Sequence, residues 1–179
     1  MSVAVVDYAA GNRASVQNAL RHLGVDYTVA ADPEELLAAD RVIIPGVGEA
    51  RAAMDNLTAR GMDEALRQVS SQGRPMLGIC IGAQVLLKHS AERDTACLGL
   101  VPGRTLPLPE PCPGDRMKVP HMGWNQVRQA RSHVLFNGIP DGSSFYFVHS
   151  YYPKPADEDA VLGTTEYGVQ FASVYAVNN

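Results

Sequence analysis

Residues 75–84 read PMLGICIGAQ, a short apolar run that leads through Gly-x-Cys-x-Gly into a predicted helix over about 82–89. A nucleophile between two glycines, where a strand meets a helix, is the pattern of a nucleophile elbow, here with Cys80 in place of serine. The sharp turn strains the backbone, so its neighbours must lack bulky side chains. Amide N–H groups at the helix N-terminus would stabilise a thiolate and lower the pKa of Cys80. The alternative is a buried cysteine packed between two glycines.

Strand and helix patterns alternate through the first ninety residues. Helical spacing of apolar residues predicts a helix that follows a turn at 10–12 and ends at Gly24, and further helices over 33–39, 49–60 and 62–69. Short apolar runs predict buried strands at 3–6, 25–30, 41–44 and 75–80. This alternation predicts an α/β fold with a mostly parallel central sheet flanked by helices.

The second half of the chain has a different pattern. Residues 101–115 are rich in proline and glycine and predict a loop. Strands without clear helices are predicted after it, at about 116–122, 124–129, 145–152, 161–166 and 171–176. We therefore expect a β-rich, partly antiparallel C-terminal half on the same sheet. The length of 179 residues suits a single domain over 1–179.

Composition narrows the class of partner. The formal net charge of −4 argues against a surface for phosphate backbones or anionic lipid, and favours a small molecule or another protein. The odd number of cysteines and the lack of a CxxC motif indicate neither a disulfide framework nor a zinc site. Cys97 and Cys112 are expected to be structural. We expect a cytoplasmic protein with no signal peptide or membrane span, and neither metal nor organic cofactor.

A second glycine-rich turn, PGVG at 45–48, follows another predicted strand. The carboxyl ends of parallel strands lie on one edge of the sheet, where ligands bind. Backbone N–H groups of Gly46, Val47 and Gly48 are therefore candidates for stabilising the oxyanion that forms when a thiolate attacks a carbonyl. The alternative is a tight turn without a catalytic task.

A thiol nucleophile also needs a base, usually histidine. His89 follows the elbow by more than two helical turns and is therefore expected to lie too far from Cys80. Nothing in the spacing selects one base from the five histidines: His22, His89, His121, His133 and His149.

Several runs resemble one known family. The elbow GICIGAQ at 78–84 and IPGVG at 44–48 resemble class I glutamine amidotransferases. The match narrows to the glutaminase subunits of imidazole glycerol phosphate synthases through four further runs: KVPHMGWN at 118–125, FYFVHSYY at 145–152, VDYAAGN at 6–12 and LFNGI at 135–139. The resemblance covers essentially all 179 residues.

This resemblance implies a reaction and a partner. Cys80 would attack the side-chain amide of glutamine, form a γ-glutamyl thioester and release ammonia to a (β/α)8-barrel cyclase subunit in a heterodimer. Gln84, Ser150 and Tyr151 would hold glutamine, and Gly46 to Gly48 would supply the oxyanion donor. The residues implied to face the cyclase are Asn12, Lys118, Pro120, Met122 and Trp124. The alternative for Trp124 is an ordinary core tryptophan.

The sequence departs from the family in its catalytic histidine. The family's His-Pro-Glu run does not occur in residues 1–179, and Ala9, Ala83 and Glu49 replace the family's frequent Gly, Met and Ala. We therefore expect the fold and the thiol, with glutaminase activity reduced by roughly 10²–10⁴-fold, the usual cost of a lost base. Three alternatives stay open: His149 acts as the base, the chain is mainly a cyclase-binding module, or it is another thiol amidase.

Overall fold

The computed structural model describes residues 1–9, 12–111 and 117–177. They form two compact units, Met1–Leu100 and Val101–Asn179. The expectation of one domain over 1–179 stays a prediction. Residues 10–11 of the predicted first turn, and residues 112–116 with Cys112, lie outside the described part of the chain.

The first unit is built on a four-stranded parallel sheet. Its strands are β1 (Val3–Val6), β2 (Tyr27–Ala30), β3 (Arg41–Ile44) and β4 (Met76–Gly78), in the order β2-β1-β3-β4. All four residues of β1 are buried, as expected for a central parallel strand covered on both faces. This arrangement places the ends of β3 and β4 side by side, since Ile44 pairs with Gly78.

Helices connect these strands. They are α1 (Arg13–His22), α2 (Pro33–Ala38), α3 (Ala50–Ala59), α4 (Met62–Ser71) and the single turn α5 (Ile81–Gln84). Asp32 caps α2 by accepting from the Glu35 N–H, and Pro33 occupies the first turn. Buried side chains of α2, α3 and α4 form much of the core of this unit: Leu36, Leu57, Met62, Leu66 and Val69.

The helix predicted over 82–89 is wrong after its first turn. The chain leaves α5 and forms β5 (Leu87–Ser90), which pairs antiparallel with β6 (Thr95–Ala96). Val85, Leu86 and Leu87 are all buried. A short run that is buried on every side fits a core helix and a core strand equally, so its pattern does not distinguish them.

The second unit is built from antiparallel strands. β7 (Val101–Pro107) pairs with β11 (Tyr151–Pro155), and β8 (His121–Gln126) pairs with β10 (Ser144–His149). β12 (Val161–Glu166) lies between β13 (Gln170–Tyr175) and β9 (Arg128–Gln129). Two 3₁₀ turns, Val134–Phe136 and Glu158–Ala160, complete it. Val127, Phe136 and Leu162 form a small core with Phe147, Val174 and Ala176 packed against it.

Three predictions for this half need correction. Residues 101–107 form a strand and not a loop, because Gly103, at φ +137°, lets the backbone approach Lys154 and Pro155 of β11 closely. The predicted strand 145–152 is two strands with different partners that divide at Ser150. In the described residues the parallel sheet contains β1 to β4 alone, so the later strands do not continue it.

No helix among the described residues is long and apolar enough to cross a membrane.

Candidate active site

Cys80 lies between β4 and α5 in a strained conformation. Its φ of 56° and ψ of −118° are unusual for a residue with a side chain, as expected of a nucleophile elbow. A Cβ atom on Gly78 would lie 2.6 Å from the Ala83 nitrogen, and one on Gly82 would overlap the Ile44 carbonyl group. Both glycines are therefore required by close packing. Cys80 itself is exposed, so the alternative of a buried structural cysteine is wrong for this residue.

The pKa of Cys80 shifts opposite to the direction predicted from the sequence. Although the residue is exposed, the surrounding protein desolvates the thiol, and this raises its pKa above the ordinary value. The backbone N–H of Ile81 acts in the predicted, lowering direction but is the smaller effect. A base that removes the thiol proton is therefore more important here than at a cysteine with a lowered pKa.

The 45–48 turn lies directly against the elbow. A Cβ atom on Gly46 would lie 2.5 Å from the Gly82 nitrogen and 2.8 Å from the Ile81 Cβ, so this position tolerates only glycine. Val47 and Gly48 are exposed, and Gly48 has a φ of +97° that favours glycine. The structure thus brings the 45–48 turn and the elbow into direct contact.

Tyr8 is a residue of this region that the sequence analysis did not single out. Its hydroxyl donates a hydrogen bond of 2.7 Å to the Pro45 carbonyl oxygen, and its side chain is fully buried. Burial raises the pKa of Tyr8 to about 12, and the nearby Cys80 adds to the rise. Tyr8 therefore stays a neutral donor that fixes the start of the 45–48 turn. The signal in the sequence that could have identified Tyr8 is its position just after the end of β1.

The predicted glutamine-binding residues fall in both units. Gln84 ends α5, is buried, and donates its backbone N–H to the Cys80 carbonyl oxygen at 3.0 Å. Ser150 and Tyr151 belong to the second unit, where the Ser150 carbonyl accepts from the Leu108 N–H at 2.8 Å. Gln84 is therefore fixed to the same turn as Cys80.

Two histidines of the second unit form a hydrogen-bonded pair. His149 Nδ1 lies 2.9 Å from the Tyr151 carbonyl oxygen, which only accepts, so this nitrogen carries the proton. His149 Nε2 then accepts from His121 Nδ1 at 2.9 Å. Burial lowers the pKa of His121 to about 4, helped by His149, and burial also lowers the pKa of His149. Both rings are therefore neutral at neutral pH.

The other three histidines lie outside this hydrogen-bonded pair. His22 is exposed on α1, and His89 on β5 contacts Asp94 at 2.8 Å. His133 accepts from the Leu135 N–H at the start of a 3₁₀ turn.

The β8–β10 ribbon has one apolar face exposed. Met122, Trp124, Tyr146 and Val148 alternate with inward residues along the two strands, and Trp124 is 73% exposed. The alternative of a core tryptophan is therefore wrong. The Trp124 and Tyr146 rings meet edge to face at 5.7 Å. Lys118 and Pro120 are exposed just before β8, and Asn12 is exposed at the cap of α1 in the first unit.

Tyr167 is a second residue that the sequence analysis did not identify. Its hydroxyl donates to the Lys118 carbonyl at 2.8 Å and accepts from the Lys118 N–H at 3.2 Å. Its ring stacks on His121 with centroids 3.7 Å apart. Tyr167 thus fixes the backbone of one predicted partner-facing residue.

The described residues contain no group of three or more His, Cys, Asp or Glu side chains that could hold a metal ion.

An exposed, strained cysteine against a glycine-rich turn, in an α/β fold, defines a class of thiol enzymes. The family model of class I glutamine amidotransferases matches residues 4–178, and the chain belongs to this family. A crystal structure of a glutamine amidotransferase has a TM-score of 0.70 at 18% identity, with 96% of this chain and 88% of that chain covered. The predicted α/β fold with a parallel sheet is confirmed.

Closer relatives define the subfamily. The imidazole glycerol phosphate synthase subunit HisH of Dehalococcoides mccartyi strain CBDB1 is 48% identical over 173 residues, covering 96% of this chain and 82% of the relative. The HisH subunit of Moorella thermoacetica is 51% identical over 171 residues, covering 95% and 79%. Within the class I family, the chain therefore belongs with the HisH subunits, as the resemblance in the sequence indicated.

Proposed function

We propose that this chain is the glutamine-hydrolysing subunit of an imidazole glycerol phosphate synthase in histidine biosynthesis, with Cys80 as the nucleophile. The observation that supports it most is the exposed Cys80, held at a φ of 56° beside Gly46. The HisH relatives supply the name of the complex. The free cysteines Cys80 and Cys97 are consistent with a reducing compartment, and we place the chain in the cytoplasm.

The reaction follows from the site. The Cys80 sulfur bonds to the carbonyl carbon of the glutamine side-chain amide, and the negative charge moves to the amide oxygen. Backbone N–H groups of the 46–48 turn stabilise that oxygen, a contribution typically worth about 2.7–4 kcal/mol per donor. The carbon–nitrogen bond then breaks, the nitrogen takes the thiol proton, and ammonia leaves. Water attacks the thioester, the sulfur–carbon bond breaks, and glutamate is released with the thiol restored.

We assign Gln84, Ser150 and Tyr151 to the binding of glutamine, as the resemblance to the family implies. The amide and hydroxyl groups of these side chains suit the ammonium and carboxylate of an amino acid substrate. Ammonia passes to the partner, a (β/α)8-barrel cyclase that forms a heterodimer with this chain. The exposed Met122 and Trp124, with Asn12, Lys118 and Pro120, are the residues we assign to that partner.

Among the described residues, His149 is the candidate base that the sequence left open. His149 has both ring nitrogens engaged, Nδ1 with the Tyr151 carbonyl and Nε2 with His121, which argues against the alternative that it deprotonates Cys80. The raised pKa of Cys80 makes that proton harder to remove. A polypeptide of residues 1–179 is therefore expected to hydrolyse glutamine roughly 10²–10⁴-fold more slowly than a relative with a His-Pro-Glu run.

The test is glutamine turnover by the chain mixed with the cyclase. Slow glutamate release that disappears in Cys80→Ala and persists in Cys97→Ala supports the proposal. Glutamate release that survives Cys80→Ala contradicts it. Turnover at the rate of a HisH relative that has the His-Pro-Glu run contradicts only the predicted slower rate.

A cyclase-binding module is the second candidate, and the exposed β8–β10 face favours it. Such a module would form the complex and support synthesis from ammonia but not from glutamine. Comparing the two nitrogen sources with the same complex separates it from the glutaminase. Another thiol amidase would hydrolyse a different amide and neither bind the cyclase nor react with a glutamine-mimicking electrophile.

A further inference from the structure

The hairpin turn between β5 and β6, residues 91–94, contacts the start of α3. The Ala50 N–H donates a hydrogen bond of 2.7 Å to Glu92 Oε2. Arg93 Nε lies 3.2 Å from Glu49 Oε2, and Arg51 donates to the Arg93 carbonyl at 2.6 Å. Contacts from one turn therefore hold the three consecutive residues that follow Gly48.

Glu92 supplies a cap that α3 lacks locally. Glu49 occupies the N-cap position but makes no side-chain cap hydrogen bond. The first N–H groups of a helix have no partner within the helix, and a carboxylate there is favoured by the helix dipole. A side chain distant in sequence thus fixes the first residue of α3, and with it the end of the 45–48 turn.

The other end of the 45–48 turn is also fixed. Tyr8 holds the Pro45 carbonyl, and Gly46 packs against Gly82 of the elbow. Val47 and Gly48 lie between these anchors, exposed, and a Cβ atom on Gly48 would meet nothing within 4 Å. The position of the Val47–Gly48 peptide is therefore set by its two ends.

The 91–94 turn is itself well anchored. The Glu92 N–H donates to Ser90 Oγ at 3.2 Å, and Thr95 Oγ1 donates to the Glu92 carbonyl at 2.7 Å. Ser90 and Thr95 are buried. Arg93 and Asp94 both have positive φ, at 52° and 47°, so the turn has a defined, strained conformation. It can act as a fixed support.

We propose that Glu92 is a positioning residue for the oxyanion donors, and that the 91–94 turn holds the Val47–Gly48 peptide at its working distance from Cys80. The inference rests on the proposed function, because it assigns a task to the oxyanion turn. The same turn also pairs the Glu49 carboxylate, which follows the 45–48 turn directly, with Arg93.

The first test is the kinetics of the complex with the cyclase. Glu92→Ala should lower kcat for glutamine by about 10- to 100-fold with KM nearly unchanged, since small misplacements of a donor cost rate and not binding. Glu92→Gln keeps an acceptor oxygen and should recover most of kcat. Alkylation of Cys80 by iodoacetamide displaces iodide without forming an oxyanion, so its rate should stay the same. Glu34→Ala, an exposed carboxylate on α2, is the matched control.

The second test needs no activity. Hydrogen exchange of residues 45–52 should accelerate in Glu92→Ala and stay near the wild-type rate in Glu92→Gln. Arg93→Ala removes only the ion pair with Glu49, so the exchange of residues 45–52 should accelerate less than in Glu92→Ala. This second variant keeps the test usable if Glu92→Ala does not fold.

The outcomes separate the two proposals. If Glu92→Ala keeps the wild-type hydrogen exchange of residues 45–52 and the wild-type kcat for glutamine, the positioning role is overturned. Equal loss of alkylation and turnover also overturns it, because the damage then lies at the thiol. A wild-type complex without glutamine turnover contradicts the proposed function, while the exchange of residues 45–52 still decides whether Glu92 holds the turn.

Discussion

At the scale of single residues, Cys80 combines two opposing features. Its exposure and strained backbone present the sulfur to solvent, whereas desolvation keeps the proton on it. Reactivity therefore depends on neighbours that remove the proton and accept the developing charge. This dependence explains why the 45–48 turn and a base matter as much as the thiol itself.

The titration of Cys80 is the first prediction. Because the folded-state pKa is raised, less thiolate is present at a given pH in the folded chain than in the unfolded chain. The rate of iodoacetamide labelling at Cys80, followed by peptide mass spectrometry against pH, should have a higher midpoint than in denaturant. Cys97, whose pKa is raised to about 11, should react at still higher pH. A midpoint for Cys80 below that of the unfolded chain would support the helix-terminus argument instead.

The second prediction concerns Gly82. A Cβ atom there would overlap the Ile44 carbonyl group, which is backbone and cannot turn aside. Gly82→Ala should lower the free energy of unfolding by about 2–4 kcal/mol, at or above the usual cost of overpacking. Gly73→Ala is the control: its φ of +68° costs about 1–2 kcal/mol, but the space around it is open. Guanidinium unfolding measures both, and equal losses would show that the close approach at Gly82 carries no cost.

At the scale of elements, the sequence predicted those helices and strands whose residues show a local periodic pattern. The parallel strands β1 to β4 and the helices α1 to α4 were predictable, because buried runs and caps such as Asp32 are local signals. The elbow and the 45–48 turn were predictable as a pair, because parallel strands end on one edge. The 101–107 strand was not, since it depends on a pairing with residues 151–155 that no local pattern encodes. Glu92 and Tyr8 were missed for the same reason: their partners are 42 and 37 residues away.

The His121–His149 pair gives a prediction for the β8–β10 ribbon. Both pKa values are lowered in the folded state, so the rings stay neutral and hydrogen-bonded at pH values below the ordinary pKa near 6.5. The stability that this pair contributes is present above about pH 6.5 and declines as the pH falls towards about 4. NMR titration of the ring protons should show His121 protonating near pH 4. Titration of both rings near pH 6.5 would contradict the assigned hydrogen bonds.

At the scale of the whole molecule, the exposed β8–β10 face is the surface that a partner explains. Trp124 and Tyr146 present a pair of aromatic rings to solvent, although aromatic side chains of this size are usually well buried. Tryptophan is enriched among residues that dominate binding energy at interfaces. The face therefore favours a subunit of a complex, in agreement with the HisH relatives.

Trp124→Ala tests this surface. We expect the affinity for the cyclase to fall by about 2 kcal/mol or more, as at other interface hot spots, with little change in the free energy of unfolding. Val134→Ala, an apolar side chain 72% exposed in the same unit, is the control and should bind normally. Calorimetric titration with the cyclase measures both. Normal binding by Trp124→Ala would remove this face from the interface.

The most direct measurement for the whole account is covalent labelling by a diazoketone analogue of glutamine, read by peptide mass spectrometry on the chain in complex with the cyclase. We predict a single adduct on Cys80 that excess glutamine prevents, with Cys97 unmodified. An unmodified Cys80 that still reacts with iodoacetamide would show an accessible sulfur with no glutamine site around it, and would contradict the assignment of this chain as a glutaminase.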